Sequence, residues 1–270
     1  MKAGPPPENL PENPPESPHR MFEVAPDLAA LLIAAAFGAG FVDAIAGGGG
    51  LITLPVLMLA GASPLEALST NKVQGAFGAA TAAASYARRG HVDLRRQIGT
   101  ALLTGAAGFL GALLVSFIPT DALRGALPFV LIAIAAFFAL KPGLDDTDRA
   151  ERIPARSFAL FVAPFVGFYD GLIGPGAGAF YMIGFVLLAG YGVLRATAHT
   201  KLLNFASNIG GLAAFAAVGA PWWITGLAMG LAQVAGAWVG SHLAMKVGAR
   251  LIKPLLVVTS GALAIRLLMG

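Results

Sequence analysis

The chain has 270 residues, of which 57% are hydrophobic and only 12% charged, with 35 glycines and a mean hydropathy of +0.75. Soluble domains carry about 25% charged residues, and the apolar runs are continuous rather than alternating, which excludes a soluble fold and a transmembrane β-barrel together. The absence of cysteine removes disulfides, thiolate metal sites and a cysteine nucleophile. The net charge of +4 comes from basic residues in short loops between apolar runs, a membrane-topology pattern rather than a nucleic-acid-binding face.

Residues 1–26 are rich in Pro, Glu and Asn without apolar periodicity, which predicts a disordered tail. No basic stretch introduces the first apolar run, so a cleaved signal peptide is not expected. A first membrane unit, 27–140, then reads as segments at about 28–46, 51–61, 65–87, 97–118 and 122–140. A hydrophilic connection follows at 141–156. The second unit, 157–270, repeats the series at about 157–173, 177–190, 194–218, 222–245 and 251–268.

The two units share a pattern. Gly40-Phe41-Val42-Asp43 leads into Gly47 to Gly50, and Gly167-Phe168-Tyr169-Asp170 leads into Gly174-Pro175-Gly176, with Asp43 and Asp170 lying 127 residues apart. Lys72 and Lys201 then match at a spacing of 129, as do Leu59-Ala60-Gly61 and Leu188-Ala189-Gly190. A register kept over Gly, Asp and Lys positions argues for duplication over Ala/Gly coincidence.

Loop charge orients the units. Arg88, Arg89, Arg95 and Arg96 place the loop after the third segment in the cytoplasm, and the 141–156 loop with Lys141, Arg149, Arg152 and Arg156 falls on the same side. The matching loop of the second unit, Gly219-Ala220-Pro221-Trp222-Trp223, is uncharged and aromatic and should face outward, while Lys246, Arg250 and Lys253 return to the cytoplasm. Corresponding loops on opposite sides predict two inverted-topology repeats in an all-α integral membrane protein. Each repeat is a glycine-broken helical hairpin followed by three transmembrane helices, and both termini lie outside the cytoplasm. This orientation requires an even number of crossings in the first two segments of each unit, which a re-entrant hairpin or two tilted spans would satisfy equally.

Unwound backbone and charge are tolerated within a membrane only where protein encloses them or water reaches them. Gly47, Gly48, Gly49 and Gly50, with Gly174, Gly176 and Gly178, are therefore candidates for helix starts whose free N–H groups bind an anion; close helix packing is the competing role. A polar cluster follows each run: Ser69, Thr70, Asn71, Lys72 and Gln74 in one unit, His199, Thr200, Lys201, Asn204, Ser207 and Asn208 in the other. Positions 71, 74 and 78, and likewise 200, 204, 207 and 208, share a helical face. The lysines either line a cationic cavity or snorkel to the interface. Asp43 and Asp170 pair with lysines, cap the broken helices or take up a coupling proton. Arg195 gathers anions or marks the membrane edge.

The four histidines have no metal spacing, and Gly174 to Ala179 matches a dinucleotide fingerprint without the βαβ unit it needs, so neither metal nor cofactor is expected. No catalytic motif stands out, and the chain is not expected to be an enzyme.

In order and duplication, the Gly-Phe-x-Asp, glycine-run, Asn71-Lys72 and Thr200-Lys201 elements, with Asn204 and Asn208, resemble the sulfite exporter TauE/SafE family over about residues 28–268. The resemblance implies ATP-independent transport, usually export, of sulfite or organosulfonates across the cytoplasmic (inner) membrane, with a small anion and the lipid bilayer as partners. No nucleic acid is implied, and a homodimer is compatible with the small-residue faces. A passive anion channel, a carrier of other small organic acids, and a membrane enzyme or binding scaffold are the competing readings. Gly75 stands where the second unit has Asn204, so the two half-sites are not expected to make equal contacts.

Overall fold

The computed structural model describes residues 23–115, 129, 132, 136, 140, 145–218 and 221–268, which form helices and connecting loops with no strand among them. In chain order the helices are α1 (Pro26–Ala46), α2 (Gly49–Leu59), α3 (Pro64–Arg88), α4 (Leu94–Leu114), α5 (Ala155–Ser157), a π-helical turn (Phe158–Val162), α6 (Ala163–Leu172), α7 (Ala177–Leu187), α8 (Val193–Val218), α9 (Trp223–Val247) and α10 (Ala249–Leu268). The expected fifth segment, 122–140, lies outside the described residues apart from four helical positions, as does the tail before Glu23.

Local chemistry sets the boundaries. Ser63 and Glu66 form a reciprocal capping box at the start of α3, Asp93 accepts from the Arg95 and Arg96 N–H groups at the start of α4, and Pro26 opens α1. Gly47 at φ 72° and Gly48 at φ 119° end α1 and start α2, in backbone conformations that residues with a Cβ rarely adopt. Gly174 and Gly176 do the same between α6 and α7.

Helices α1, α4 and α9 are long and apolar enough to cross a membrane. Leu102, Phe161, Phe165 and Leu231 project outward with 67–75% of their surface exposed. Water disfavours such a belt of large apolar side chains and lipid does not. The molecule is an all-α integral membrane protein. Helices α3 and α8, though 25 and 26 residues long, carry the polar clusters and occupy the interior.

The short second segments resolve into half-length helices. Each of α2 and α7 has 11 residues, about 16 Å of helix, too short for a bilayer core of about 30 Å. Leu57 near the end of α2 shares a cluster with Val24, Ala29 and Leu32 at the start of α1, so the chain turns back on itself with the glycine run at the tip. In the second unit Phe158, before α6, stacks on Phe185, near the end of α7, at a centroid distance of 4.4 Å. In each pair the half-length helix folds back along the helix before it, with the glycine run at the turn.

Carboxylates tie down the segments between helices. The tail was expected to run through Pro26, but Glu23 already caps α9, accepting from the Ile224 N–H at 3.1 Å, the Thr225 N–H at 3.0 Å and the Thr225 hydroxyl at 2.6 Å. From Asp145 onward the hydrophilic connection is tied to the helices it joins. Asp146 accepts from the N–H groups of Leu194 and Ala249, both at 2.9 Å, tying the starts of α8 and α10 together. Asp148 accepts from Gly192 N–H at 2.8 Å and pairs with Arg195. Burial alone would raise the Asp148 pKa, but the Gly192 and Arg195 contacts hold it below the ordinary carboxylate value.

The units pack on each other through glycine. A Cβ added at Gly240 in α9 would lie 2.4 Å from the Phe41 carbonyl oxygen in α1, and one at Gly111 in α4 would lie 2.1 Å from the Phe168 carbonyl oxygen in α6. The two contacts join equivalent positions of the sequence repeat. Gly40 against Gln233 and Gly167 against Thr104 form a second such set, with Cβ clearances of 2.6 Å in each. Helices of one unit therefore meet the other's backbone to backbone. Gly171→Ala, whose Cβ would sit 1.9 Å from the Gly108 carbonyl oxygen, should lower the thermal midpoint in detergent by an amount equivalent to at least 1–3 kcal/mol, as overpacking does. Gly99→Ala, with nothing within 4 Å, should leave it unchanged or raise it slightly.

Candidate functional site

Two buried ion pairs join the units crosswise. Lys72 of α3 reaches the hairpin of the second unit, where its Nζ lies 2.8 Å from Asp170 Oδ1 and 2.5 Å from the Asp170 carbonyl oxygen. Lys201 of α8 reaches the hairpin of the first, donating to the Asp43 carbonyl oxygen and standing 3.5 Å from Asp43 Oδ2. Lys72 is 1% exposed and Lys201 fully buried, so neither snorkels. Nor are they free cations lining a cavity. An unpaired lysine inside a membrane costs about 2.5–3.5 kcal/mol or more, and each is neutralised by the aspartate of the opposite unit.

Between the hairpin tips lies a cavity of about 40 Å³, lined by Asp43, Gly48, Gly49, Gly50, Asn71 and Gly75 from the first unit. The second unit contributes Asp170, Gly174, Gly176, Ala177, Gly178, Asn204, Asn208 and Gln233. A water needs roughly 10–15 Å³ on this measure, so the space admits a few waters or one compact ion. The starts of α2 and α7 meet here: a Cβ on Gly178 would lie 2.7 Å from the Gly47 Cα, so only glycine permits the approach.

The polar lining is partly fixed and partly unused. Gln233 Nε2 donates to Gln74 Oε1 at 3.1 Å, Gln74 Nε2 donates to Asn71 Oδ1 at 3.2 Å, and the Thr53 hydroxyl donates to that same oxygen at 2.7 Å. With its oxygen taken twice, Asn71 offers its NH₂ donors to the cavity. Asn204 is 6% exposed, and its Oδ1 is buried without a hydrogen-bond partner. Leaving a buried acceptor unmatched costs about 1–3 kcal/mol, so Oδ1 is a seat for a water or another donor, while the Asn204 NH₂ is the group able to donate to an anion.

Of the residues singled out by sequence, the structure gathers Asp43, Gly48, Gly49, Gly50, Asn71, Asp170, Gly174, Gly176, Gly178, Asn204 and Asn208 around this cavity. Gly47 packs just behind it, and Lys72, Lys201 and Gln74 form its second layer. The others stand apart. The Thr70 hydroxyl accepts from Trp222 N–H at 2.9 Å, and the Thr200 hydroxyl is spent on the Ala196 carbonyl at 2.9 Å. His199 packs against Phe185 and Tyr191, and Arg195 is held by Asp148 and the Tyr191 ring, 3.9 Å from its centroid, so it gathers no anion at the cavity.

Gln233 was missed, because a lone glutamine in an apolar helix carries no motif; its polarity within the α9 span was the only signal. The departures between units account for it. Gly78 stands where the second unit has Ser207, and a Cβ there would lie 2.3 Å from Gln233 Oε1; Gly75 likewise makes room for Asn208, at 3.2 Å. Missing side chains of the first unit are thus replaced by amides from α8 and α9.

Glycine-started half-helices meeting in a polar cavity inside an apolar helical protein define a membrane transporter. Comparison with known proteins names the type: the chain belongs to the sulfite exporter TauE/SafE family, whose model matches residues 32–267. It is 56% identical over 248 residues to the probable membrane transporter protein ORF9 of Sinorhizobium sp, covering 92% of this chain and 95% of that one. It is 44% identical over 253 residues to the probable membrane transporter protein YfcA of Escherichia coli K12, covering 94% of both. A probable membrane transporter protein of Haemophilus influenzae is 39% identical over 238 residues, covering 88% of this chain and 93% of that protein. No solved structure gives a significant match.

Breaking one member of a buried pair strands its partner. Lys72→Met and Asp170→Asn should each cost on the order of 3–5 kcal/mol, and the double variant should cost clearly less than the two together. Thermal unfolding of the purified proteins in detergent checks the cycle; additive losses would show that the two side chains act independently.

Proposed function

We propose that the protein is a secondary transporter that moves small sulfur-containing anions, such as sulfite or organosulfonates, across the cytoplasmic membrane by alternating access, most often outward. The observation that carries this reading is the cavity where the two glycine-started helices meet, faced by the amide groups of Asn71 and Asn204. Backbone N–H groups at helix starts and amide donors suit a compact oxyanion. The cavity's volume suits the same class, and the family's description as sulfite exporters favours sulfur chemistry.

The working units in this reading are the repeats 27–140 and 157–270, inserted with opposite topology, with both termini outside the cytoplasm and the 141–156 connection inside. Reciprocal contacts at equivalent positions, such as Gly240 on Phe41 and Gly111 on Phe168, support two matched halves. Each hairpin tip is held by a lysine of the other half, so rocking one half carries the opposite tip with it. Access then alternates around a fixed central site.

Labelled sulfite uptake into vesicles tests the proposal. Lys72→Ala and Lys201→Ala should abolish uptake while protein remains in the membrane, and Asn204→Ala should weaken it on the order of tenfold, the loss of a hydrogen bond to a charged group. Normal transport in both lysine variants would sink it. Thermal stabilisation by sulfite, sulfonates and small carboxylates sorts the competing classes: a scaffold responds to none, and an enzyme consumes its ligand. Uphill accumulation driven by a pH gradient or membrane potential distinguishes a carrier from a channel.

A further inference from the structure

The two half-sites are not in the same state. At the start of α2, the N–H groups of Gly48 and Gly49 both donate to Asp43 Oδ1, at 3.0 and 3.2 Å. At the start of α7, among the described residues, no side chain accepts from the N–H groups of Gly176, Ala177 or Gly178, and the Ala177 N–H donates to the Gly174 carbonyl at 3.1 Å. Asp170, the counterpart of Asp43, is engaged elsewhere, with Lys72 on one oxygen and the Ser207 hydroxyl on the other. The difference follows from the sequence. The position equivalent to Ser207 in the first unit is Gly78, which has no hydroxyl, so the Asp43 carboxylate turns to the backbone of its own tip.

We infer that Asp43 is a tethered competitor: its carboxylate occupies the anion seat at the start of α2, and the transported anion binds by displacing it. The inference rests on the reading of the cavity as an anion site. A carboxylate oxygen shares with a sulfite or sulfonate oxygen the charge and acceptor geometry that helix N–H groups select. The seat opens on a cavity whose lining includes Asn71 and Asn204, whose NH₂ groups are the donors able to meet a free anion, so it has space and polar partners for one. The displaced carboxylate has a destination as well. Asp43 Oδ2 lies 3.5 Å from Lys201 Nζ, just beyond hydrogen-bond range, and a small rotation closes that gap. The charged groups around Asp43 are Lys201 on α8 and, across the cavity, Asp170 with Lys72; Tyr86 of α3 is spent on the Ala44 carbonyl at 2.9 Å. Asp43 thereby keeps the empty site neutral and sets the affinity, weakening binding enough for release.

Sulfite binding to the full chain in detergent, read as a shift in thermal midpoint across a concentration series, tests this. Asp43→Asn keeps the size of the side chain and removes its charge, and should bind sulfite roughly tenfold more tightly than the wild type, the scale of a partly buried charge at a helix start. Asp43→Ser, which keeps a short acceptor for the N–H groups, should tighten binding in the same direction and serves if Asp43→Asn folds poorly. Asp170→Asn should not tighten binding. Wild-type binding with unchanged or weaker binding in both Asp43 variants overturns the inference and leaves the transported class standing. Equal tightening in Asp43→Asn and Asp170→Asn also overturns it, because loss of one negative charge anywhere in the cavity would then suffice. If neither wild type nor variants bind sulfite, sulfonates or small carboxylates, the anion reading fails and the competitor with it.

Discussion

Everything in this molecule is arranged around two lysines that the membrane interior would otherwise reject. Each is placed on a polar interior helix, and each finds its counter-charge only on the hairpin of the other half. A buried pair gains little net stability over an apolar substitute, but removing one member is costly. Such a pair therefore specifies register more than it adds strength. Neither half can neutralise its own lysine through these contacts, so the two must assemble together and with their hairpin tips opposed. The cavity is what remains between tips held in that way.

Equivalence between the halves is incomplete, and the differences are complementary. Where the second unit carries Asn204 and Ser207, the first has Gly75 and Gly78, and the vacated space receives Asn208 from α8 and Gln233 from α9. The result is a lining drawn from both halves, with donors fixed on one wall by the Gln233–Gln74–Asn71 relay and an unmatched amide on the other. A duplicated sequence pattern thus holds an asymmetric cavity lining.

Much of this was legible in the sequence. The hairpins, the glycine tips and the helices bearing Asn71, Lys72, Lys201 and Asn204 follow from apolar runs, helix breaks and a repeated register. What stayed hidden depends on contacts between distant segments. Periodicity could place Lys72 on an interior face but could not say that Asp170 neutralises it, which turned an expected cationic pocket into one lined by amides, glycine backbone and the Asp43 and Asp170 carboxylates. His199 and Thr200 sit beside Lys201 in sequence, yet the helix turn points them at Tyr191 and the Ala196 carbonyl. The cap by Glu23 was obscured because composition averages over a window, and one docked glutamate does not alter a proline-rich average.

The hairpin tips touch where Gly47 meets Gly178 and the Ala179 nitrogen, main chain on main chain. Interfaces built from interlocked side chains resist shear, because knobs must leave their holes before one surface can pass another. Two glycines present no knobs. A contact of this kind offers little steric resistance to sliding, so any relative motion of the tips would be opposed chiefly by the two flanking ion pairs.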